Sequence, residues 1–183
     1  EEAHTLIIVS PKETVEIAND KWLTVQFLGK HHLPFAKAFI PKTNSEAKTC
    51  AKELGYPLVL KTRTGTSNKH VHSISNEQEL EALFPMTPNP MLQRLIGIPK
   101  SSLHSEFTCS VFSCQDGSLI GPFVARRTLH GSNSWVVEVN PKEDPSSILL
   151  KIAERLPSRG SVNIQLMFTD EGPIPFEFNS RFR

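Results

Sequence analysis

The sequence is short of cysteine, of basic clusters and of long apolar runs, and each shortage removes a class of function. Three cysteines in 183 residues cannot frame a disulfide-stapled fold. Cys109 and Cys114 fall in one strand pattern on opposite faces, so they cannot pair without distorting it, and Cys50 lies in a helix pattern. All three read as reduced thiols, which points to a cytoplasmic protein. A net charge of +1 carried by scattered residues gives no electrostatic footing for nucleic acid or an anionic membrane. No apolar stretch approaches a membrane span, no signal-peptide pattern opens the sequence, and there are no internal repeats or low-complexity tracts. With 38% hydrophobic and 21% charged residues the composition is lean but globular. Its length suits one domain, or two small lobes sharing a core. The sequence lacks an initial Met and stops directly after a charged hairpin pattern, so it is read as a portion of a longer protein.

What is present is an orderly succession of elements. Ser10-Pro11-Lys12-Glu13 has the form of a capping box with Pro at the first helical position, predicting one helix to about Lys30. Residues 5–9 and 38–40 are strand candidates. Thr43-Asn44-Ser45-Glu46 opens a second helix that Gly55 ends, and 56–61 is a buried strand finishing on Lys61. A polar loop, 62–69, leads to a strand at 70–74, and Asn76 caps a helix to about Phe84. The run 85–90 reads as a rigid, helix-excluding connector near which two lobes hinge. Strand 91–96 and loop 97–103 follow. Strands 106–114 and 119–127 meet through Asp116-Gly117, and 135–139 is a further strand. Asp144-Pro145 starts a helix to about Leu156. The predicted class is α+β.

The densest chemistry lies in 161–183. Two apolar runs, 162–168 and 174–178, flank Asp170-Glu171-Gly172-Pro173, a hairpin pattern with a short loop. Glu177, Asn179 and Arg181 share one face. With a three-residue loop, Thr169 pairs with Pro173 and Gln165 lands opposite Glu177. Gln165, Glu177 and Asn179 then reach one ion, and oxygen donors without a soft ligand suit Mg²⁺. The competing reading is the solvated outer face of an amphipathic hairpin. Lys61 stands beside Thr62, Thr64, Gly65, Thr66, Ser67 and Asn68, whose backbone N–H groups can turn toward a phosphate. Taken singly, that loop is equally a surface turn, and Lys21 a surface lysine. His70 and His72 share a strand face, but no third ligand follows at a spacing that zinc needs. Arg126, Arg127 and His130 are read as closing a strand on an anion, either the nucleotide or an acceptor carboxylate.

In sequence order, five motifs change the weighting. Asn19-Asp20-Lys21, Gly55-Tyr56-Pro57-Leu58-Val59-Leu60-Lys61, Met91-Leu92-Gln93-Arg94-Leu95-Ile96-Gly97, Ser105-Glu106-Phe107-Thr108 and Phe176-Glu177-Phe178-Asn179-Ser180-Arg181 together resemble the ATP-grasp superfamily. The nearest likeness is to the ATP-binding module of the carbamoyl-phosphate synthase large chain and its stand-alone ligase relatives, over about Ser10 to Arg183. The resemblance implies an ATP-grasp fold with the nucleotide site between two α+β lobes. Residues 31–96 form the smaller lobe, and 97–183 the larger one, truncated at its C-terminus. Residues 1–30 link them to a preceding α/β domain absent from this sequence.

The same resemblance implies roles residue by residue. Lys21 and Lys61, with Gly65 and Ser67 of the loop, hold the ATP phosphates. Gln93, Arg94 and Leu95 form the hinge segment beside adenine, Leu95 through its backbone, and Glu106 bonds the ribose hydroxyls. Gln165, Glu177 and Asn179 coordinate Mg²⁺, with Mn²⁺ as the alternative ion. Asn179 and Arg181 serve catalysis, Arg181 facing the transferred phosphate or an acyl phosphate. The implied function is the ATP- and Mg-binding module of a carboxylate–amine ligase or carbamoyl-phosphate-synthase-like enzyme. Its partners are ATP, a carboxylate and an amine, with a homodimer as an allowed assembly. The loop 64–69 is poorer in glycine than the family's usual one. Two alternatives stay open: a non-catalytic nucleotide-binding regulatory module, and a biotin-carboxylase-like component.

Overall fold

A computed structural model describes residues 8–65, 70–97, 106–130 and 133–180. The elements run α1 (Lys12–Asn19), α2 (Lys21–Lys30), β1 (Ala38–Phe39), α3 (Asn44–Leu54), β2 (Leu58–Thr62), β3 (Val71–Ile74), α4 (Glu77–Leu83), β4 (Pro90–Arg94), β5 (Glu106–Ser113), β6 (Leu119–His130), β7 (Asn133–Val139), α5 (Ser146–Arg155), β8 (Gly160–Thr169) and β9 (Gly172–Asn179). The strands form two antiparallel sheets, ordered β1-β4-β2-β3 and β7-β6-β5-β8-β9. This is the α+β, two-lobe arrangement that the alternating strands and capped helices predict. Among the described residues no helix is long and apolar enough to cross a membrane.

Each sheet has one apolar face, and helices cover it. In the smaller lobe Leu58, Leu60, Ile74 and Leu92 meet Ala47 and Ala51 of α3, Leu80 of α4 and Phe84. Thr43 caps α3 by accepting the Glu46 N–H, and Gly55, at φ 78°, ends it in a conformation that side-chain-bearing residues avoid. In the larger lobe Phe107, Cys109, Val111, Val124, Val162, Ile164, Leu166 and Phe178 alternate along four strands. Against them pack Ile148, Leu149, Ile152 and Ala153 of α5, together with Phe27 and Leu28 of α2. Burying a side chain of this size contributes about 1.5–3 kcal/mol. α2 also serves the smaller lobe, where Val25 and Trp22 pack with Ala38 and Met91. Residues 12–30 are thus built into both lobes.

Four expectations are corrected by the structure. The single helix over 10–30 is broken at Asp20, whose φ/ψ of −117°/111° is extended. Its carboxylate accepts the Trp22 N–H at 2.9 Å as the cap of α2, pairs with Arg63, and its backbone bridges to Thr64. Burial pushes the Asp20 pKa up, but the Arg63 guanidinium and the Trp22 N–H outweigh it and hold the carboxyl below its usual range. Ser10 caps nothing. Its hydroxyl exchanges hydrogen bonds with the backbone of Arg159, both at 3.3 Å, and pins the chain start to the larger lobe.

The proline run 85–90 is not the hinge between lobes. Pro85 sits in a 3-10 turn, Phe84–Met86, whose Phe84 enters the smaller core, and the Asn89 carbonyl accepts the Arg63 N–H. The chain leaves the smaller sheet only after Arg94. The predicted strand at 5–9 falls partly outside the described residues, and Ile8 and Val9 join no element. The loop expected at 97–103 lies outside them beyond Gly97.

The final hairpin closes through two residues, not three, so Thr169 pairs with Gly172. Thr169 Oγ1 accepts the Glu171 N–H and donates to the Gly172 carbonyl, which locks the shorter loop. Gln165 nevertheless lies opposite Glu177, because the register shifts between Gln165/Glu177 and Leu166/Pro175 and leaves Phe176 as the extra residue of a bulge. β9 is an edge strand, where Pro173 and Pro175 cost no ladder bond.

Asp20→Ala removes both the α2 cap and the partner of Arg63. Urea unfolding should show a loss of about 1–3 kcal/mol. Asp20→Asn, which keeps an acceptor for Trp22, should lose clearly less.

Candidate functional site

The outward face of the larger sheet carries a polar patch on β5, β8 and β9. Glu106, Thr108 and Ser110 of β5 stand in register with Met167, Gln165 and Asn163 of β8, and those last two with Glu177 and Asn179 of β9. Residues directly opposite share a face. The alternation that sends Val162, Ile164 and Leu166 into the core therefore turns Asn163 and Gln165 away from it. Gln165 is 4% exposed. Asn179 Nδ2 donates to Glu177 Oε1 at 3.2 Å, which leaves the Asn179 carbonyl oxygen for another partner.

Two cations face this surface from other elements. Lys21 is the first residue of α2, placed there by the break at Asp20, and its Nζ donates to the Gly65 carbonyl at 3.2 Å. Lys61 lies on β2, on the face opposite Leu58 and Leu60, in register with Met91. It is only 7% exposed. Burial, then the neighbouring charge of Lys21, push the Lys61 ammonium down to about 8, against the pull of Glu177. Lys21 is likewise lowered by burial, offset in part by Glu177 and Asp20. Glu177 thus stands within electrostatic reach of both lysines, and Lys21, held to the segment after β2 through the Arg63 and Gly65 carbonyls, lies close enough to Lys61 to oppose its charge. A displacement this large for Lys61 corresponds to roughly 3 kcal/mol against the charged form. That is a large fraction of the stability of a typical domain, about 5–15 kcal/mol. A bound anion would recover it.

The remaining candidate residues divide by what they touch. Gln93 is buried, and its Nε2 donates to the Ala36 carbonyl at 3.1 Å, tying β4 to the segment entering β1. Arg94 reaches across the lobes: its Nη1 and Nη2 donate to the two carboxylate oxygens of Glu171, at 3.4 and 3.1 Å. Leu95 follows β4 outside any helix or strand. Glu106 is engaged by Arg127, whose Nε and Nη2 both donate to its Oε1. The reading of Arg126 and Arg127 as a strand end is corrected, because β6 continues to His130. Arg127 is tied to Glu106, and Arg126, its neighbour on the other face, to Glu138 and Glu143. Ser67 and Arg181 lie outside the described residues. Sequence reading passed over Asn163; its signal was the alternation of Asn163 and Gln165 with apolar neighbours.

The family of ATP-grasp domains matches residues 18–183. The chain belongs to the ATP-grasp family. It is 24% identical over 189 residues to the carbamoyl phosphate synthase large chain of Methanothrix thermoacetophila, covering 97% of this chain and 17% of that protein. It superposes with a TM-score of 0.83 on the N5-carboxyaminoimidazole synthetase of Staphylococcus aureus complexed with ADP, at 16% identity and covering 95% of this chain and 48% of that one. On the biotin carboxylase domain dimer of Hydrogenobacter thermophilus 2-oxoglutarate carboxylase, in complex with MgADP, ADP and bicarbonate, the TM-score is 0.77 at 20% identity. That match covers 96% of this chain and 42% of the other. At these identities the solved structures speak to fold. The chain spans less than half the length of each of these relatives.

The donor set fits a hard divalent cation. Gln165, Glu177 and Asn179 bring oxygen donors to one face, with a single carboxylate among them, and Glu177 faces two ammonium groups. Among the described residues no group of three or more His, Cys, Asp and Glu is placed to hold a metal. An ion here would therefore keep much of its coordination for waters and phosphate oxygens, as Mg²⁺ does.

Lys61 gives this geometry a pH signature. The folded protein loses the Lys61 proton near pH 8, whereas the unfolded chain keeps it to about 10.5. The penalty of the buried charge is full below about pH 8 and fades as the pH rises toward 10.5. Urea unfolding should find Lys61→Leu more stable than the unaltered protein at about pH 7, with the gap closing by about pH 10.

Proposed function

We propose that this chain is the ATP- and Mg²⁺-binding module of a carboxylate–amine ligase, or of a carbamoyl-phosphate-synthase-like enzyme, working through an acyl phosphate. The observation that carries this reading is the convergence of Lys21 and Lys61, from separate elements, on Glu177. Two neighbouring cations carried by separate elements suit a chain of phosphates, which binds both at once.

The residues divide the work. Lys61 and Lys21 neutralise phosphate oxygens, and burial makes each contact stronger than it is in water. Gln165, Glu177 and Asn179 would hold the Mg²⁺, which when bound supplies positive charge to the phosphate oxygens. Gln93, Arg94 and Leu95, at the exit of β4, flank the adenine, Leu95 through its backbone. Glu106, oriented by Arg127, accepts from the ribose hydroxyls. Gly65 and Ser67 are assigned to the ATP phosphates, and Arg181 to the phosphate in transfer.

In the reaction a carboxylate oxygen attacks the γ-phosphorus and the bond to ADP breaks. The resulting acyl phosphate is then displaced by an amine, which releases phosphate and forms the amide. The protein's part is mainly positioning and charge neutralisation, because phosphoryl transfer asks little covalent help of it.

Two substitutions test the assignment by calorimetric titration. Glu177→Gln should weaken ATP binding in the presence of Mg²⁺ by roughly tenfold or more, with little effect on metal-free ATP. Lys61→Ala should weaken ATP more than adenosine. Equal losses for ATP and adenosine would remove Lys61 from the phosphate site.

A further inference from the structure

Among the described residues three buried side-chain atoms have no hydrogen-bond partner: Tyr56 Oη, Arg94 Nε and Asn163 Oδ1. Only Asn163 lies on the polar face of the larger sheet. The orientation of its amide is fixed by what it touches. Nδ2 donates to the Cys109 carbonyl at 3.0 Å and to Thr108 Oγ1 at 2.8 Å. A carbonyl can only accept, so the end at Cys109 must be the –NH₂. Oδ1 is then turned away from β5. Asn163 is 8% exposed, so this acceptor is largely shut off from bulk water. A native fold seldom leaves such a group empty.

The position of Asn163 says what would fill it. It is directly opposite Asn179, and Gln165, two residues along the same strand, is directly opposite Glu177. Directly opposed Cα atoms lie about 4.5–5.5 Å apart, so the four side chains form a two-by-two array on one face. Three corners of that array are the side chains already assigned to Mg²⁺. The fourth is an oxygen acceptor in search of a donor. Waters on a divalent cation are strong donors, and such ions retain several of them.

The geometry points to Asn163 as a positioning residue of the cation site, its Oδ1 accepting a hydrogen bond from a water held by the divalent ion. This inference rests on the nucleotide–magnesium reading above. Through Nδ2 the same amide also fixes Thr108 Oγ1 as an acceptor, so the Thr108 hydroxyl hydrogen must point elsewhere. Asn163 thereby couples β5 to the ion.

The test measures how much Mg²⁺ tightens ATP binding, by titrating ATP calorimetrically with and without the ion into the unaltered protein, Asn163→Ala and Asn163→Asp. Both substitutions abolish the Nδ2 bonds to Cys109 and Thr108, but Asn163→Asp keeps an oxygen where Oδ1 stands. Asn163→Ala should lose roughly tenfold or more of the tightening, with metal-free ATP affinity unchanged. Asn163→Asp should retain or increase it. Full tightening in Asn163→Ala, or an equal loss in both variants, would overturn the proposal, the second result marking a purely structural amide. If Asn163→Ala does not fold, Asn163→Asp decides alone: retained tightening supports the role and lost tightening overturns it. Absence of any Mg²⁺ effect in the unaltered protein would overturn the nucleotide–magnesium reading itself, and this inference with it.

Discussion

The ammonium of Lys61 is held almost out of water between a smaller lobe that supplies it and a larger lobe that supplies its counter-charge. Burial and the second lysine both oppose its charge, and only Glu177 favours it. Among the described residues Glu177 is the one carboxylate that acts on both lysines, since Asp20, which also favours Lys21, is paired with Arg63, and the site is left short of negative charge. Such an imbalance is expensive in a folded protein unless an anion resolves it. The rest of the structure can be understood as the means of holding this imbalance in place. α2 packs Phe27 and Leu28 on one lobe and Val25 on the other, which fixes the separation of the two surfaces. The Arg94–Glu171 pair spans the same gap at its rim, exposed enough to be worth little by itself.

Two backbone irregularities aim the charged groups. The extended residue Asp20 interrupts what would otherwise be one long helix, so that Lys21 starts a new one and reaches the Gly65 carbonyl. The bulge at Phe176 restores Glu177 to its place opposite Gln165 after the tight turn has moved the register by one. Without that extra residue every side chain of the strand beyond it would change face. Both devices go against local regularity, a helix in one case and a ladder in the other. Functional sites are where such departures are expected to concentrate.

Much of the fold was legible in the sequence because it is written in short-range chemistry. Thr43 and Asn76 cap the helices that they were expected to cap, and Asp116-Gly117 turns where it should. Apolar alternation picked out the strands of both sheets. The break at Asp20 was not legible, since the residues that hold it, Arg63 and Thr64, lie more than forty positions away in sequence. The pairing of Gln165 with Glu177 was reached from a wrong loop length, because a turn one residue shorter and a bulge one residue longer cancel. Arg127 looked like the end of a strand because strand ends are the least certain feature of a pattern. Its real partner, Glu106, is fixed by cross-strand register, which composition does not reveal. Asn163 was invisible for a similar reason: a single polar residue among apolar ones acquires meaning only when its unfilled acceptor can be seen.

The most direct test of the account follows the Lys61 side chain itself, by NMR titration of isotopically labelled lysine with and without ATP and Mg²⁺. The account predicts that Lys61 titrates near pH 8 in the free protein and that nucleotide moves this well upward, because phosphate oxygens favour the charged ammonium. Titration of Lys61 at the ordinary lysine value, unmoved by nucleotide, would contradict it.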